Sequence, residues 1–583
     1  MRTAEPAAAA DGEPSRRLIW PALALVLGGG LALRLWGVRQ GLPFAYNTDE
    51  AQHFVPHAVE MFEDGTLNPH YFENPPAFTY LLHLLYDVWY GGARGAIRAF
   101  RLHPQDLYTL ARVASALLGT AALWLLYAAG ARLLDRTVGL LAAAVMAVAF
   151  LPVFYAHLAL NDVPTLAPLT LSLLGSAGIL RRGRARDHVI AGAGLGLACA
   201  TKYTAGIAIL PMIAAILLQP GRESRGHSGR VALGLVIAGG CAAVAFVLAN
   251  PFSLLDFSRF HAELAHQSRL SAESQGKLGA PREGGLLYYL WSLTWGLGWV
   301  PALAALGGAL AIWRSDRRLG LMLVPAPLLF LAFMGLQGRY FGRWLMPALP
   351  FLCLLAAFLA QRAAGALRRR AGAAMRPAAT VAGAAIVALL LLQGLLYSIH
   401  AGLVLSRPDT RNLARTWMLA HVPRGSKIVV EPIAPDEWAD AIAPGTSTAT
   451  NPRLWVKYPS MFSRISRSGA LQPGFTGEVS IENYERTLAP SLVGYYLRSG
   501  FCWVISGSTQ SGRAEADPRA VPLAVAYYRE LARRGQVVYR ASPYTGGASV
   551  GFNFDWSFDY YPLAYRRPGP LVTIYRLHGG LCG

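Results

Sequence analysis

Charge is scarce in this chain: 15% of its 583 residues are Asp, Glu, Lys or Arg, against 54% hydrophobic. Soluble domains carry about 25% charged residues, so the deficit excludes an ordinary water-soluble globule and points to lipid as the solvent. Cysteine is scarce too. Of the five, Cys199, Cys241 and Cys353 lie in apolar runs as small core residues, while Cys502 and Cys582 lie in the tail, where pairing is open to them. No C-x-x-C or metal-ligand spacing occurs. Internal repeats are missing, and so is the two-halves symmetry common in secondary transporters.

What the chain has in quantity is apolar runs. They recur from Leu18 to Leu405 and predict a mostly α, polytopic membrane protein with spans near 18–38, 108–131, 137–156, 163–180, 188–201, 203–219, 231–250, 286–313, 319–336, 343–361 and 378–402. The first run, Leu18 to about Val38, has no A-x-A-like cleavage site at its end and reads as a retained span. Residues 1–17, rich in Ala, Pro and charge, read as a disordered cytoplasmic leader. Net charge is +20, with 53 Lys and Arg against 33 Asp and Glu. The arginines fall in short clusters between the runs: "SRR" at 15–17, "RRGRAR" at 181–186, "RSDRR" at 314–318 and "RRR" at 368–370. That is the pattern of cytoplasmic loops and anionic lipid, not of nucleic-acid binding.

Residues 188–219 decide the topology. One long helix would put "RRGRAR" and "GRESRGHSGR" on opposite sides; a hairpin puts both inside, and the charge bias favours the hairpin. About eleven spans then place the loops 39–107 and 251–285 and the tail 407–583 outside. The first loop carries "NPPAFTYLLHLLYDVWYG" (74–91), too short to cross and suited to an interfacial amphipathic helix. In the second loop "FSRFHAELAHQSR" has helical character. The tail alternates helix ("NLARTWMLAHV", "VAYYRELARRG") with strand ("SKIVVE", "FCWVIS", "QVVYRAS", "LVTIYRL"), which predicts a C-terminal extracytoplasmic α/β domain without a glycine-rich phosphate fingerprint. The expected organisation is thus a leader (1–17), a membrane domain (18–406) and an outer α/β domain (407–583).

On this topology the ionisable residues gather on the outer face. "YNTDEAQHF" (46–54) supplies Asp49, Glu50 and His53; Glu73 precedes "NPP"; "HLALNDVPT" (157–165) supplies His157, Asn161 and Asp162. Lys202 lies at the hairpin tip, Arg339, Tyr340 and Arg343 in "GRYFGR", and His261, His266 and Arg269 in the second loop. Each alone has a structural explanation. Asp49 and Glu50 suit a helix N-terminus, Asp162 suits a helix cap, and the cations suit snorkelling to headgroups. Their convergence at one membrane depth points instead to a site. Such a set suits transfer from a lipid-anchored phosphate donor: a carboxylate takes the proton of an attacking hydroxyl, and cations stabilise the departing phosphate. An aromatic interfacial helix and an apolar groove would hold the polyprenyl chain.

At these residues the chain resembles the polyprenyl-phosphate-sugar glycosyltransferases of the multi-spanning C superfamily, whose members include protein O-mannosyltransferases, the aminoarabinose transferases of lipid A and bacterial family-39-like enzymes. The resemblance rests on "TDEAQHF", "FENPPAFTYLL", "ARVASALLGT", "AHLALNDVPT", "GLGLACATKYTAG" and "GRYFGRWLMPALPFL", and in the tail on "RPDTRNLARTWMLAHVPRGSKIVVE" and "GPLVTIYRL". It implies a bacterial plasma-membrane enzyme, inverting, acting on a glycan, lipid or protein hydroxyl. It implies Asp49 as the base with Glu50 its neighbour, Asp162 as the second acid, and Lys202, Arg339 and Arg343 facing the donor phosphate. His53, Glu73, Tyr340 and His157 would be substrate-binding. In the lipid A relatives the position of Glu73 holds a metal or phosphate beside a lysine, where this chain has Asn74. A divalent metal would draw on Glu73 with His261 or His266. No MIR-type module accompanies the membrane part. The rival class, a transporter or flippase with an outer ligand-binding domain, predicts ionisable residues or broken helices at mid-membrane rather than at the surface. A structural assembly protein would leave the charged outer cluster unexplained.

Overall fold

The computed structural model describes residues 16–220, 226–272, 278–279, 284–440, 454–458, 481–552 and 562–583. The chain is mostly helical, a multi-pass bundle followed by a small sheet. Nearly all of the expected leader falls outside the described residues. Helix occurs at each expected span, and among the described residues seven helices are long and apolar enough to cross a membrane, including Pro104–Leu133, His227–Ala249 and Gly342–Arg370. The remaining four are shorter: Arg136–Val148, Leu166–Arg182, Ala185–Thr201 and Tyr203–Leu217. Helices Leu166–Arg182, Ala185–Thr201 and His227–Ala249 pack through small residues, as expected where lipid offers no hydrophobic drive between helices. A Cβ at Gly192 or Gly196 would lie 2.1 Å from the carbonyls of Ala238 and Ala242.

Two interruptions matter for the site. Ala149 leaves helical geometry (ψ 130°), separating Arg136–Val148 from Phe150–Tyr155, and Pro152 has no N–H for the carbonyl of Val148. Other side chains satisfy the freed carbonyls. Ser398 Oγ donates to Val148 O at 2.8 Å, and the buried guanidinium of Arg34 donates to Ala147 O (3.1 Å) and Met146 O (3.2 Å). Such replacements are needed where lipid offers no hydrogen-bond donors. The second interruption is Lys202, whose extended backbone (φ −154°, ψ 120°) ends helix Ala185–Thr201. The chain turns back there, and Gln219 and Pro220 come to rest against Gly183. Both ends of this helical hairpin therefore lie at one end of the bundle.

The first loop forms helices Ala77–Tyr90 and Ala93–Leu102, and the second loop forms helix Phe257–Ala272. In the tail, strands β1 (Lys427–Val430), β2 (Val456–Lys457), β3 (Phe501–Gly507), β4 (Gly535–Ala541) and β5 (Val572–Leu577) form one mixed sheet of order β2-β1-β3-β5-β4. β1 pairs parallel with β2 and β3; β5 pairs antiparallel with β3 and β4. Cys502 and Cys582 are bonded, tying β3 to the C-terminal turn. One apolar cluster of the sheet, with Ile428, Ile505, Ile574 and Trp438, also takes in Phe44 from the first loop. The tail is thereby packed onto the loop that follows the first helix.

Candidate active site

Between the bundle and the sheet lies a cavity of about 730 Å³. Its bundle side is lined by Asp49, His53, Glu73, His157, Asp162, Lys202, Arg339 and Arg343, and its tail side includes Arg411, Glu437, Gln510 and Arg513. Segments more than 290 residues apart in sequence thus converge on one space.

Four of these side chains form a continuous chain of charge. Arg343 Nη2 meets Asp49 Oδ2 at 2.5 Å, Arg343 Nε lies 3.9 Å from Asp162 Oδ2, and Lys202 Nζ donates to Asp162 Oδ1 at 2.7 Å. The interruption at Lys202 brings its side chain to this point, where it is largely buried and does not snorkel to headgroups. Asp162 likewise does not cap the following helix, whose N-cap is Thr165 without a side-chain bond. Asp49 is the member most open to the cavity, its side chain 37% exposed. Two carboxylates and two cations leave the set formally neutral, so each pays for the desolvation of its neighbour.

Glu50 has another place. Grouped with the catalytic acids by its sequence position, it is fully buried and does not line the cavity. Its two oxygens take a bidentate pair from Arg112, Nε to Oε1 and Nη2 to Oε2, each at 2.7 Å, and Oε1 also accepts from Ala159 N–H at 2.8 Å. Arg112 Nη1 continues to the carbonyls of Val38 (2.9 Å) and Gln40 (2.8 Å). Glu50 thus joins the first loop, helix Pro104–Leu133 and the segment leading to Asp162. It orders the site without touching its space. Sequence pattern assigns Arg112 no role; its signal there is a lone arginine inside an apolar helix.

His53 lines the cavity and stacks on Tyr71 with ring centroids 4.8 Å apart; His57 stacks near Tyr71 at the same separation. Burial lowers the pKa of His53 and favours the neutral ring, while the Asp49 carboxylate opposes that shift. Burial raises the pKa of Glu73, opposed by His266. His157 is held between the carbonyls of Phe154 (3.1 Å) and Trp36 (3.0 Å), so it fixes the turn while facing the cavity. Tyr340 does not line the cavity. Its ring packs 4.6 Å from that of Tyr288, so its expected contact with substrate is corrected to a packing role. Of the two histidines considered with Glu73, His266 Nε2 approaches Glu73 Oε1 at 3.6 Å, whereas His261 lies beside the Phe257 ring. Among the described residues no group of three His, Cys, Asp or Glu side chains converges.

Residues 104–249 match the family model described as dolichyl-phosphate-mannose-protein mannosyltransferase, a stretch that holds Asp162 and Lys202. No curated protein matches the sequence. Among solved structures, the apo oligosaccharyltransferase of Archaeoglobus fulgidus superposes with a TM-score of 0.52 at 13% identity, over 89% of this chain and 73% of that one. The archaeal oligosaccharyltransferase AglB from Archaeoglobus fulgidus, in complex with an inhibitory peptide and a dolichol-phosphate, gives 0.51 at 13% identity, over 90% and 73%. ArnT from Cupriavidus metallidurans bound to undecaprenyl phosphate gives 0.48 at 14% identity, over 96% and 98%. At such identities the likeness is one of fold.

Proposed function

We propose that this chain, a membrane glycosyltransferase of the C superfamily, moves a sugar from a polyprenyl-phosphate-linked donor to a hydroxyl acceptor at the outer face of the membrane. The observation that carries the reading is the neutral chain Lys202–Asp162–Arg343–Asp49 along one wall of a large cavity at the mouth of the bundle. The family model's dolichyl-phosphate-mannose description and the dolichol-phosphate held by the oligosaccharyltransferase of the same fold support the class of donor.

The charges account for the step. The acceptor oxygen attacks the anomeric carbon while its proton passes to Asp49, and the bond from that carbon to the phosphate oxygen breaks with its electron pair on the oxygen. One negative charge therefore disappears at Asp49 as one appears on the phosphate. Arg343, bound to Asp49 before reaction, is placed to follow that charge, and Lys202 and Arg339 add fixed positive charge beside it. Asp162 orients Lys202 and Arg343 and keeps the empty site neutral. A single displacement of this kind inverts the anomeric centre. His53 and Glu73 would contact substrate, and His157 would hold the turn from which Asp162 projects.

The test is turnover of purified protein in nanodiscs against a panel of polyprenyl-phosphate sugars, read as release of polyprenyl phosphate. Asp49→Asn should lower turnover about 100- to 10,000-fold with donor binding retained. Turnover within a few-fold of the parent would remove Asp49 from the role.

A further inference from the structure

The tail motif "PDTRN" (408–412) makes contacts that the transfer chemistry alone does not explain. Asp409, 1% exposed, caps helix Thr410–His421 by accepting from Arg411 N–H at 2.8 Å. It also holds the Arg411 guanidinium in a bidentate pair, Nε at 2.8 Å and Nη2 at 2.7 Å. Thr410 fastens the same turn to the approach of β5, donating through Oγ1 to Pro570 O at 2.7 Å and through N–H to Pro568 O at 3.0 Å. The oriented guanidinium lies over the Tyr46 ring, its Cζ 3.5 Å from the centroid. Tyr46 donates its hydroxyl to Asn412 Oδ1 at 2.6 Å, and Asn412 Nδ2 donates to Gly41 O at 2.9 Å. Two residues earlier, Phe44 is buried in the apolar cluster of the sheet with Arg415 5.2 Å from its ring.

Tyr46 lies three residues before Asp49, and both line the cavity. Immediately after Asp49 the chain is fixed to the bundle by Glu50 and Arg112. The short stretch that carries Asp49 is thus held at one end by the bundle and at the other by the tail. We propose that Tyr46, Arg411 and Asn412 are positioning residues for the reaction: the tail acts as a clamp that sets the distance of Asp49 from the reacting atoms. This rests on the reading of Asp49 as the base. A misplacement of about 1 Å at a reacting group costs on the order of 100-fold in rate, so slack at Tyr46 appears in kcat rather than in donor binding.

The experiment uses the full chain in nanodiscs. Tyr46→Leu removes the ring from the loop side and leaves the Asp409–Arg411 pair whole. It should lower kcat about 10- to 100-fold with donor affinity within about twofold. Tyr46→Phe, which keeps the ring under Arg411, should recover most of the rate. Joined to Arg411→Met, the loss should not multiply, because both changes release the same contact. A second readout is independent of turnover: Thr48→Cys, with Cys199, Cys241 and Cys353 replaced by Ala, should react several-fold faster with a thiol reagent when Tyr46 is Leu. Parental kcat and parental labelling in Tyr46→Leu would overturn the clamp, as would multiplicative losses in the double variant. If Asp49→Asn retains turnover while Tyr46→Leu still speeds labelling, the base assignment falls and the clamp stands.

Discussion

Asp49 and Glu50 are adjacent acids with separate predicted consequences, and Glu50→Gln tests the difference. Glu50 and Arg112 have no exposed side-chain surface, and three donors (Arg112 Nε, Arg112 Nη2 and Ala159 N–H) converge on the two oxygens of Glu50. An amide supplies one acceptor oxygen where two are used, and turns an N–H₂ toward donors. It also leaves the Arg112 charge buried without a counter-charge, facing neutral acceptors such as the carbonyls of Val38 and Gln40. Removing one partner of a buried pair costs about 3–5 kcal/mol. Asp49, by contrast, is more than a third exposed where it meets Arg343, so Asp49→Asn should cost no more than about 1 kcal/mol. The assay is thermal unfolding in matched nanodiscs, followed by turnover at a temperature where every variant is folded. Glu50→Gln should unfold well below the parent and keep measurable turnover; Asp49→Asn should unfold near the parent and lose it. If Glu50→Gln unfolds with the parent yet loses as much turnover as Asp49→Asn, the buried-anchor reasoning is wrong and Glu50 acts in the chemistry.

Lys202→Met and Arg343→Met should each weaken donor binding or slow phosphate departure, whereas neutralising Arg368, Arg369 and Arg370, exposed at the end of helix Leu349–Arg370, should leave turnover unchanged; equal losses from both groups would remove the phosphate role. Burial pushes the Glu485 carboxyl from 4.5 up to about 8, with Arg513 opposing from 3.6 Å. The folded tail then binds more protons than the unfolded chain between those values, so its stability should fall as pH rises from about 5 to 8, and Glu485→Gln should flatten that slope in a melting series. Ala516→Cys, at the exposed C-terminal end of helix Ser508–Ala516 in the tail, should react with an impermeant thiol reagent on intact cells if the tail is outside; reaction only after permeabilisation would reverse the orientation.

The bundle was legible because a lipid-facing helix needs a long apolar run, and such runs stand out in a sequence with so little charge. The tail was legible where strands β1, β3, β4 and β5 carry β-branched and aromatic residues. Two-residue β2 has no such pattern and went unread, as did helices Ser491–Ser499 and Ser508–Ala516. The interruption at Ala149 was missed for a different reason. Hydropathy runs unbroken through "AVAFLPVFY", and only Pro152 hints that Val148 O needs another donor. Its donor, Ser398, is 250 residues away, as the pairing of Arg34 with Ala147 O spans 113. Local pattern cannot report such partners.

The site shows the same limit at closer range. "TDE" announces two acids but not their directions, and in a helical turn successive side chains diverge by about 100°. The short helix Glu50–Phe54 begins at this point, so if one acid faces the cavity, the next must turn toward the bundle. A carboxylate turned inward is tolerable only against a matching buried cation, and Arg112 is the arginine that Pro104–Leu133 buries completely. The pair therefore follows from one geometric fact: the anchor is what allows its neighbour to stand at the edge of the cavity in a fixed direction. A single acid on a mobile loop would have the charge for proton transfer but not the placement, and placement is the larger part of what a general base contributes.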